Sequence, residues 1–227
     1  MKFLAVIPAR GGSKGVKNKN LQKVGNESLL QRAINCSIQY MDVIVSTDSE
    51  KIKSEALENG AKVPFLRPKE LASDTAKSID TCIHAVLEYE RIYTKSLDYI
   101  FLIEPTSPFR NSEHIKKTID KLRTDEYNTI VSICQLENKP ENIFLKGEYL
   151  RKYIEIPNEK FEQRQLMKNL CRINSAIYAT DRNSLLNKKK FIIDPIGFIE
   201  MSLIESINID TLLDLKYANF ISNELCL

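Results

Sequence analysis

Apolar runs and amphipathic stretches alternate along the first 135 residues, and this alternation narrows the fold more than any other feature. Runs at 2–7, 42–46, 62–65, 98–103 and 129–134 read as buried strands. Between them, 27–39, 49–59, 76–91 and 112–123 carry apolar residues at helical spacing. Thr47 and Glu50 have capping-box spacing, and Gly60 is placed to stop the helix that follows. Strands alternating with helices predict βαβ units, hence an α/β fold with a mostly parallel sheet. A chain of 227 residues, 43% apolar, fits one domain spanning 1–227 with a sizeable core. The pattern breaks from 136 to 170, a polar stretch with Pro140 and Pro157, read as an excursion from the sheet and a dimerisation arm. Residues 172–179 return as a strand, 206–209 as another, and 211–223 as a closing helix.

Ligands of parallel sheets bind beyond the carboxyl ends of the strands. Every notable polar cluster falls there: the loop at 8–20, then Ser46, Thr47 and Asp48, then the segment 104–108. The first loop, within IPARGGSKGVKNKN at 7–20, sets Gly11, Gly12 and Gly15 beside Arg10, Lys14, Lys17 and Lys19. Bare amides and cations at a strand's end suit a polyphosphate. The spacing is neither GxxxxGK[ST] nor GxGxxG, so it is neither a Walker loop nor the dinucleotide fingerprint. A plain connector does not need three glycines beside four cations.

A net charge of +3 gives no reason to invoke nucleic acid, and Lys188–Lys190 reads as a solvated turn. Five scattered cysteines without CxxC or Cys/His spacing imply reduced thiols and a cytoplasmic protein. The first apolar run is too short for a signal peptide, and no stretch approaches a membrane span, so no membrane partner is expected.

Residues 7–20 also resemble the N-terminal signature of the acylneuraminate cytidylyltransferases, the CMP-sialic acid synthetases: a strand, PARGGSKG, a short variable stretch and Lys-Asn, here Lys19 and Asn20. Kdo cytidylyltransferases carry a different loop and fit less well. The resemblance runs from residue 3 to about 220. It implies a three-layer nucleotidyltransferase fold of Rossmann-like arrangement with a dimerisation excursion. It also implies a homodimeric enzyme that couples CTP to the anomeric hydroxyl of an acidic nine-carbon sugar and releases pyrophosphate, with Mg²⁺ as cofactor.

Further segments carry the likeness, and with it the implied roles. Ala9, Arg10, Gly11, Gly12, Ser13, Lys14 and Asn20 fall at nucleotide-binding positions, with Arg10 and Lys19 offsetting phosphate charge. LRP at 66–68 and ASDT at 72–75 resemble the family's LRP…ASDT, placing Arg67 and Ser78 at the nucleotide; Ser73 and Asp74 also read as caps of the next helix. LIEPTSPFR at 102–110 resembles LQPTSPLR, with Glu104 where the family has a sugar-associated glutamine. A carboxylate only accepts hydrogen bonds, so Glu104 suggests hydroxyl or amide groups of a different nonulosonic acid, or pairing with a nearby cation. RINSAIY at 172–178 resembles RINGAIY, and Arg164-Gln165 resembles the start of RQxLP. These place Arg164, Arg172 and Tyr178 at the sugar, although Asn174 and Tyr178 also have structural readings. Residues 206–211 resemble SIDIDT, whose two aspartates bind Mg²⁺. Here Asn208 replaces the first and Asp210 keeps the second, which with Thr211 could also cap the last helix. The two departures keep open CMP-pseudaminic or CMP-legionaminic acid synthesis, and a catalytically weak nucleotide-binding relative.

Overall fold

Six strands form one sheet in the order β10-β6-β9-β5-β1-β4. In the computed structural model, which describes residues 1–13, 15–73, 75–136, 143–146, 149–153 and 170–225, they are β1 (Phe3–Pro8), β4 (Asp42–Ser46), β5 (Tyr99–Ile103), β6 (Thr129–Gln135), β9 (Cys171–Asp181) and β10 (Ile196–Glu200). β1 pairs in parallel with β4 and β5, and β10 pairs in parallel with β6. β9 runs antiparallel between β5 and β6. The sheet is therefore mostly parallel, as the alternation predicts.

Strands covered on both faces must be apolar at every position. β1 shows this: Ala5 and Ile7 pack on one side, Leu4 and Val6 on the other. The first face is covered by α1 (Leu29–Asn35), α2 (Glu50–Glu58) and α4 (Ser112–Leu122). The second is covered by α3 (Ser78–Tyr93) and α5 (Arg182–Lys188). A smaller cluster seats α6 (Leu212–Leu225) against Val24, Leu29, Phe109 and Ile209.

Several expected elements change. The first helix starts at Leu29 because Glu27–Ser28 (β3) pair with Lys23–Val24 (β2) around Gly25, whose φ is +63°. Ser28 then caps the helix by accepting from the Gln31 amide. The run at 62–65 makes only one bridge, Lys62 to Ile44, because Pro64 has no N–H for a ladder. Thr47 does not cap α2; Ser49 occupies the N-cap position without a side-chain capping bond, and its amide donates to Thr47 Oγ1. Gly60 does end that helix, with φ +82°. Residues 206–209 form no strand: Ser206 ends a turn, its amide bonded to the Ser202 and Leu203 carbonyls, and the Ile209 amide bonds the Thr106 carbonyl. β10 was not expected. Gly197 sits against the Tyr127 ring, where a Cβ would come within 2.9 Å of it. Of the excursion, the described part is a hairpin of β7 (Phe144–Lys146) and β8 (Leu150–Lys152); the rest lies outside the described residues.

Near the ligand end of β9, Ser175 has φ +63° where the family pattern has glycine, and the β6–β9 register shifts between Val131 and Ile133. Buried Asn174 fastens this irregular end. Its carbonyl accepts from Ser132 Oγ and the Ala176 amide, and its amide donates to Ser206 Oγ at 2.7 Å. The structural reading of Asn174 thus holds, and it ties β9 to the segment leading to Asp210. Asn174→Ala strands these partners, and urea unfolding should show a loss of about 2–3 kcal/mol.

Candidate active site

A cleft of about 390 Å³ opens at the carboxyl ends of β1 and β5. Arg10, Ser13, Gly15, Lys19 and Asn20 line one side. Arg67, Ser73 and Ser78 line a second, and Glu104 and Asp210 a third. Chain segments far apart in sequence thus meet at the end of the sheet where the topology predicts a ligand.

The first loop is built by close packing. No left-handed glycine occurs among its described residues; Asn18 supplies that turn with φ 51°. A Cβ on Gly11 would lie 2.9 Å from Ser49 Cβ, and one on Gly15 would lie 2.3 Å from the Asp210 carbonyl oxygen. Gly15 is therefore needed for the loop to touch the Asp210 backbone. The Gly11 amide donates to Asp48 Oδ1 at 2.8 Å, so Asp48 already holds the group expected to meet phosphate. Gly12 has open space around it. Ala9 is fully buried and offers only backbone, its amide bonding the Ser46 carbonyl. Asn20 is buried and donates to the Arg10 carbonyl at 3.1 Å, which fixes where Arg10 leaves the chain. Arg10 Nη1 lies 3.4 Å from the Ala72 carbonyl. Lys14, Asp74 and Arg164 lie outside the described residues.

Lys19 is largely covered, with 19% of its side chain exposed. Its Nζ bonds the Ile209 carbonyl at 3.0 Å and Asp210 Oδ1 at 3.1 Å. Arg67 is buried and donates through Nε to Ser46 Oγ and through Nη2 to the Ser46 carbonyl. Burial lowers its pKa to about 10, helped by Arg10 and opposed by Asp48 and Glu104. Ser73 does not cap α3, which starts after Lys77 without a side-chain cap. Its hydroxyl instead bonds the Glu70 carbonyl beside the cleft.

Asp210 is not the cap of α6. Thr211 and Asp214 form that capping box: Asp214 Oδ2 accepts from the Thr211 amide at 2.7 Å, and Thr211 Oγ1 accepts from the Asp214 amide at 3.2 Å. The Asp210 carboxylate remains 68% exposed at the cleft. Asn208 Nδ2 donates to its Oδ2 at 2.6 Å, so Asn208 orients Asp210 through its amide. No group of three or more His, Cys, Asp or Glu side chains that could hold a metal gathers among the described residues. A magnesium ion fits here only in the mode it favours with nucleotides, with one carboxylate and the rest supplied by phosphates and water. Exposed Asp210 beside Arg10 and Lys19 meets that requirement.

Arg172 and Tyr178 are not among the residues lining this cleft. Arg172 sits half-buried opposite Cys134 on β6. The Tyr178 ring packs on Phe191 at 5.7 Å between centroids, and its hydroxyl lies 3.1 Å from Ser175 Oγ. Asp48, Arg110 and Asp214 are supporting residues to which the sequence assigned no role. The spacing Thr-x-x-Asp at 211–214 is the signal that would have found Asp214.

Glu104 is the deepest carboxyl group of the cleft. Burial raises its pKa to about 7 against the pull of Arg110, Lys19 and Arg67, with Asp210 pushing the same way as burial.

The sequence profile of cytidylyltransferases matches residues 4–193. This chain belongs to the cytidylyltransferase family. It is 31% identical over 224 residues to the CMP-N,N'-diacetyllegionaminic acid synthase of Legionella pneumophila, covering 94% of this chain and 93% of that one. It is 34% identical over 196 residues to an N-acylneuraminate cytidylyltransferase of Escherichia coli, covering 84% of this chain and 45% of that one. The pseudaminic acid cytidylyltransferase of Campylobacter jejuni is 27% identical, with 97% of this chain and 96% of that one covered. Among solved structures, a CMP-2-keto-3-deoxy-manno-octonic acid synthetase complexed with CTP superposes with a TM-score of 0.72 at 16% identity, over 99% of this chain and 100% of that one. That likeness shows the fold alone. The enzyme is a nucleotidyltransferase by family, and none of its described helices is long and apolar enough to cross a membrane.

The raised Glu104 pKa sets a sign. The folded protein keeps this proton to higher pH than the unfolded chain, so its share of stability falls as pH rises from about 4.5 to about 7. Glu104→Gln should remove that decline. In urea melts without ligand, the variant should gain on the order of 2 kcal/mol relative to wild type between pH 4 and pH 8.

Proposed function

We propose that this cytidylyltransferase couples CTP to the anomeric 2-hydroxyl of a nine-carbon nonulosonic acid, giving the CMP-sugar and pyrophosphate. The observation that carries the reading is the convergence of Arg10, Lys19, Arg67 and Asp210 on one cleft in a chain of this family. Attack on the α-phosphate gathers negative charge on phosphate oxygens, and fixed cations that need not reorganise stabilise it best. Arg10 and Lys19 take that role, with Lys14 assisting. The exposed Gly12 amide and Ser13 face the phosphates, and Arg67 and Ser78 bound the nucleotide end. Asp210, oriented by Asn208, would hold Mg²⁺ together with the phosphates. When bound, the ion supplies further positive charge and eases loss of the sugar hydroxyl's proton. Glu104 faces the sugar; Arg172, which does not line the cleft, is assigned to the sugar carboxylate by the family pattern alone, a pairing suited to guanidinium. Arg164 joins the sugar pocket by the family pattern alone; Tyr178, packed on Phe191 away from the cleft wall, does not. We assign a cytoplasmic homodimer; exposed Leu213, Tyr217 and Phe220 at helical spacing on α6 offer apolar surface for a second copy.

The nonulosonic reading includes the sialic, legionaminic and pseudaminic acids named for the relatives. Asn208 in place of an aspartate favours a second reading, a nucleotide binder with little turnover. Pyrophosphate release with CTP, Mg²⁺ and a panel of these sugars separates the readings. Turnover should require CTP over UTP and ATP and one of the sugars. Binding of CTP without release favours the second reading.

Arg10→Ala and Lys19→Ala should each lower kcat/KM by on the order of 10²–10³, with a small loss of thermal stability in Lys19→Ala, whose Nζ bonds the Ile209 carbonyl and Asp210. Near-normal rates in both would remove the phosphate-loop assignment. Glu104→Gln should shift the kcat/KM ratio between N-acetylneuraminic acid and its deoxy, di-N-acyl relatives about tenfold, with the KM for CTP unchanged. A change confined to the CTP constants would move Glu104 out of the sugar pocket.

A further inference from the structure

We propose that Asp214 is a positioning residue for Asp210: by accepting from the Asp210 and Thr211 amides just before α6, it holds the main chain so that the Asp210 carboxylate is turned into the cleft. The inference rests on the reading of Asp210 as the magnesium-holding residue.

The leading amides of a helix have no partner within it and carry partial positive charge. Two carboxylates flank the start of α6, Asp210 before it and Asp214 in its first turn. The structure divides the work between them. Asp214 Oδ2 accepts from the Asp210 amide at 3.0 Å, the Thr211 amide at 2.7 Å and Thr211 Oγ1 at 2.9 Å. Three donors thus converge on one oxygen, and the Asp210 main chain is fixed on its amide side. Its carbonyl side is fixed by contact with Gly15. Between these two restraints the side chain is free to point away from the helix. It does so, with Oδ1 on Lys19 and Oδ2 on Asn208.

Removing the Asp214 carboxylate leaves the Asp210 and Thr211 amides without this acceptor. The Asp210 main chain then loses the restraint on its amide side, and its carboxylate is no longer held toward the cleft. In this chain the loss has no substitute, because residue 208 is an asparagine and supplies no second negative charge.

Mn²⁺ serves as probe for the hard-cation site, counted by electron paramagnetic resonance with full-length protein and CTP, without sugar, so that no turnover occurs. Asp214→Ala should weaken Mn²⁺ binding about tenfold or more, the range for removal of an outer-shell partner. Asp214→Asn keeps an oxygen acceptor and should stay within about threefold of wild type. Thr211→Ala removes one of the three donors and should weaken binding by about threefold, which keeps the test open if Asp214→Ala fails to fold. Circular dichroism melts report folding separately. Wild-type affinity in Asp214→Ala, or in Thr211→Ala where that variant stands in, overturns the inference. So does an Asp214→Asn variant as weak as Asp214→Ala, since charge and not the hydrogen-bonded geometry would then matter. If wild type binds no Mn²⁺ with CTP, the magnesium reading falls and takes the inference with it.

Discussion

The cleft depends on a buried guanidinium. Arg110 Nη1 donates to the Glu104 carbonyl at 2.9 Å and to the Ala176 carbonyl at 3.0 Å. It bolts the end of β5 to the antiparallel strand beside it. Where a strand ends, its last carbonyls lose their ladder partners, and a buried orphan carbonyl is costly. Arg110 satisfies two at once. It also brings a positive charge near Glu104 from behind. From β9 the fastening continues through Asn174 to Ser206, and from there along four residues to Asp210. Carboxyl groups from two distant segments thus share one cleft.

The cleft is a concentration of opposed charges, some of them buried. Lys19 and Arg67 face Glu104, while Asp48 and Glu104 face Arg67. Arg67 lies buried with its charge retained because Ser46 accepts two of its hydrogen bonds. Among the described residues no hydrogen bond supports the Glu104 carboxyl group, and burial wins there. An anion entering such a cleft meets cations already held in place. The same fixed cations are matched by fixed carboxylates, so the unliganded protein does not bear their mutual repulsion.

Much of this was legible in the chain. Strands buried on both faces announce themselves as apolar runs, and β1, β4, β5 and β6 lie within a residue or two of the runs that predict them. Where the reading missed, local physics was overruled or inverted. In β10 the buried positions are Gly197 and Ile199, while Ile196 and Phe198 are exposed, so the side-chain pattern conceals its buried face. Residues 62–65 look like a strand until Pro64 removes a donor. The capping of α6 was assigned to Asp210 with Thr211 as one option because Asp next to Thr caps well; Thr211 does cap it, and its partner in the box is Asp214, three residues further, not Asp210.

Taken alone, the sequence determined the fold class, the end of the sheet where a ligand belongs, and most of the side chains that line the cleft. The fold class and the ligand end follow from period, turn chemistry and residue type, which are local; Arg67, Ser78 and Asp210 were placed by resemblance to a known family. The tertiary structure alone decided what each polar group does. Gly11 and Gly15 are small because Ser49 and the Asp210 carbonyl press on them, and the Gly11 amide meets Asp48 in the absence of ligand. Asn20 and Asn174 are fasteners, and Tyr178 packs on Phe191 away from the cleft wall. Such roles depend on which groups fill the space around a side chain. Those neighbours come from segments tens to nearly two hundred residues away, so no local pattern records them.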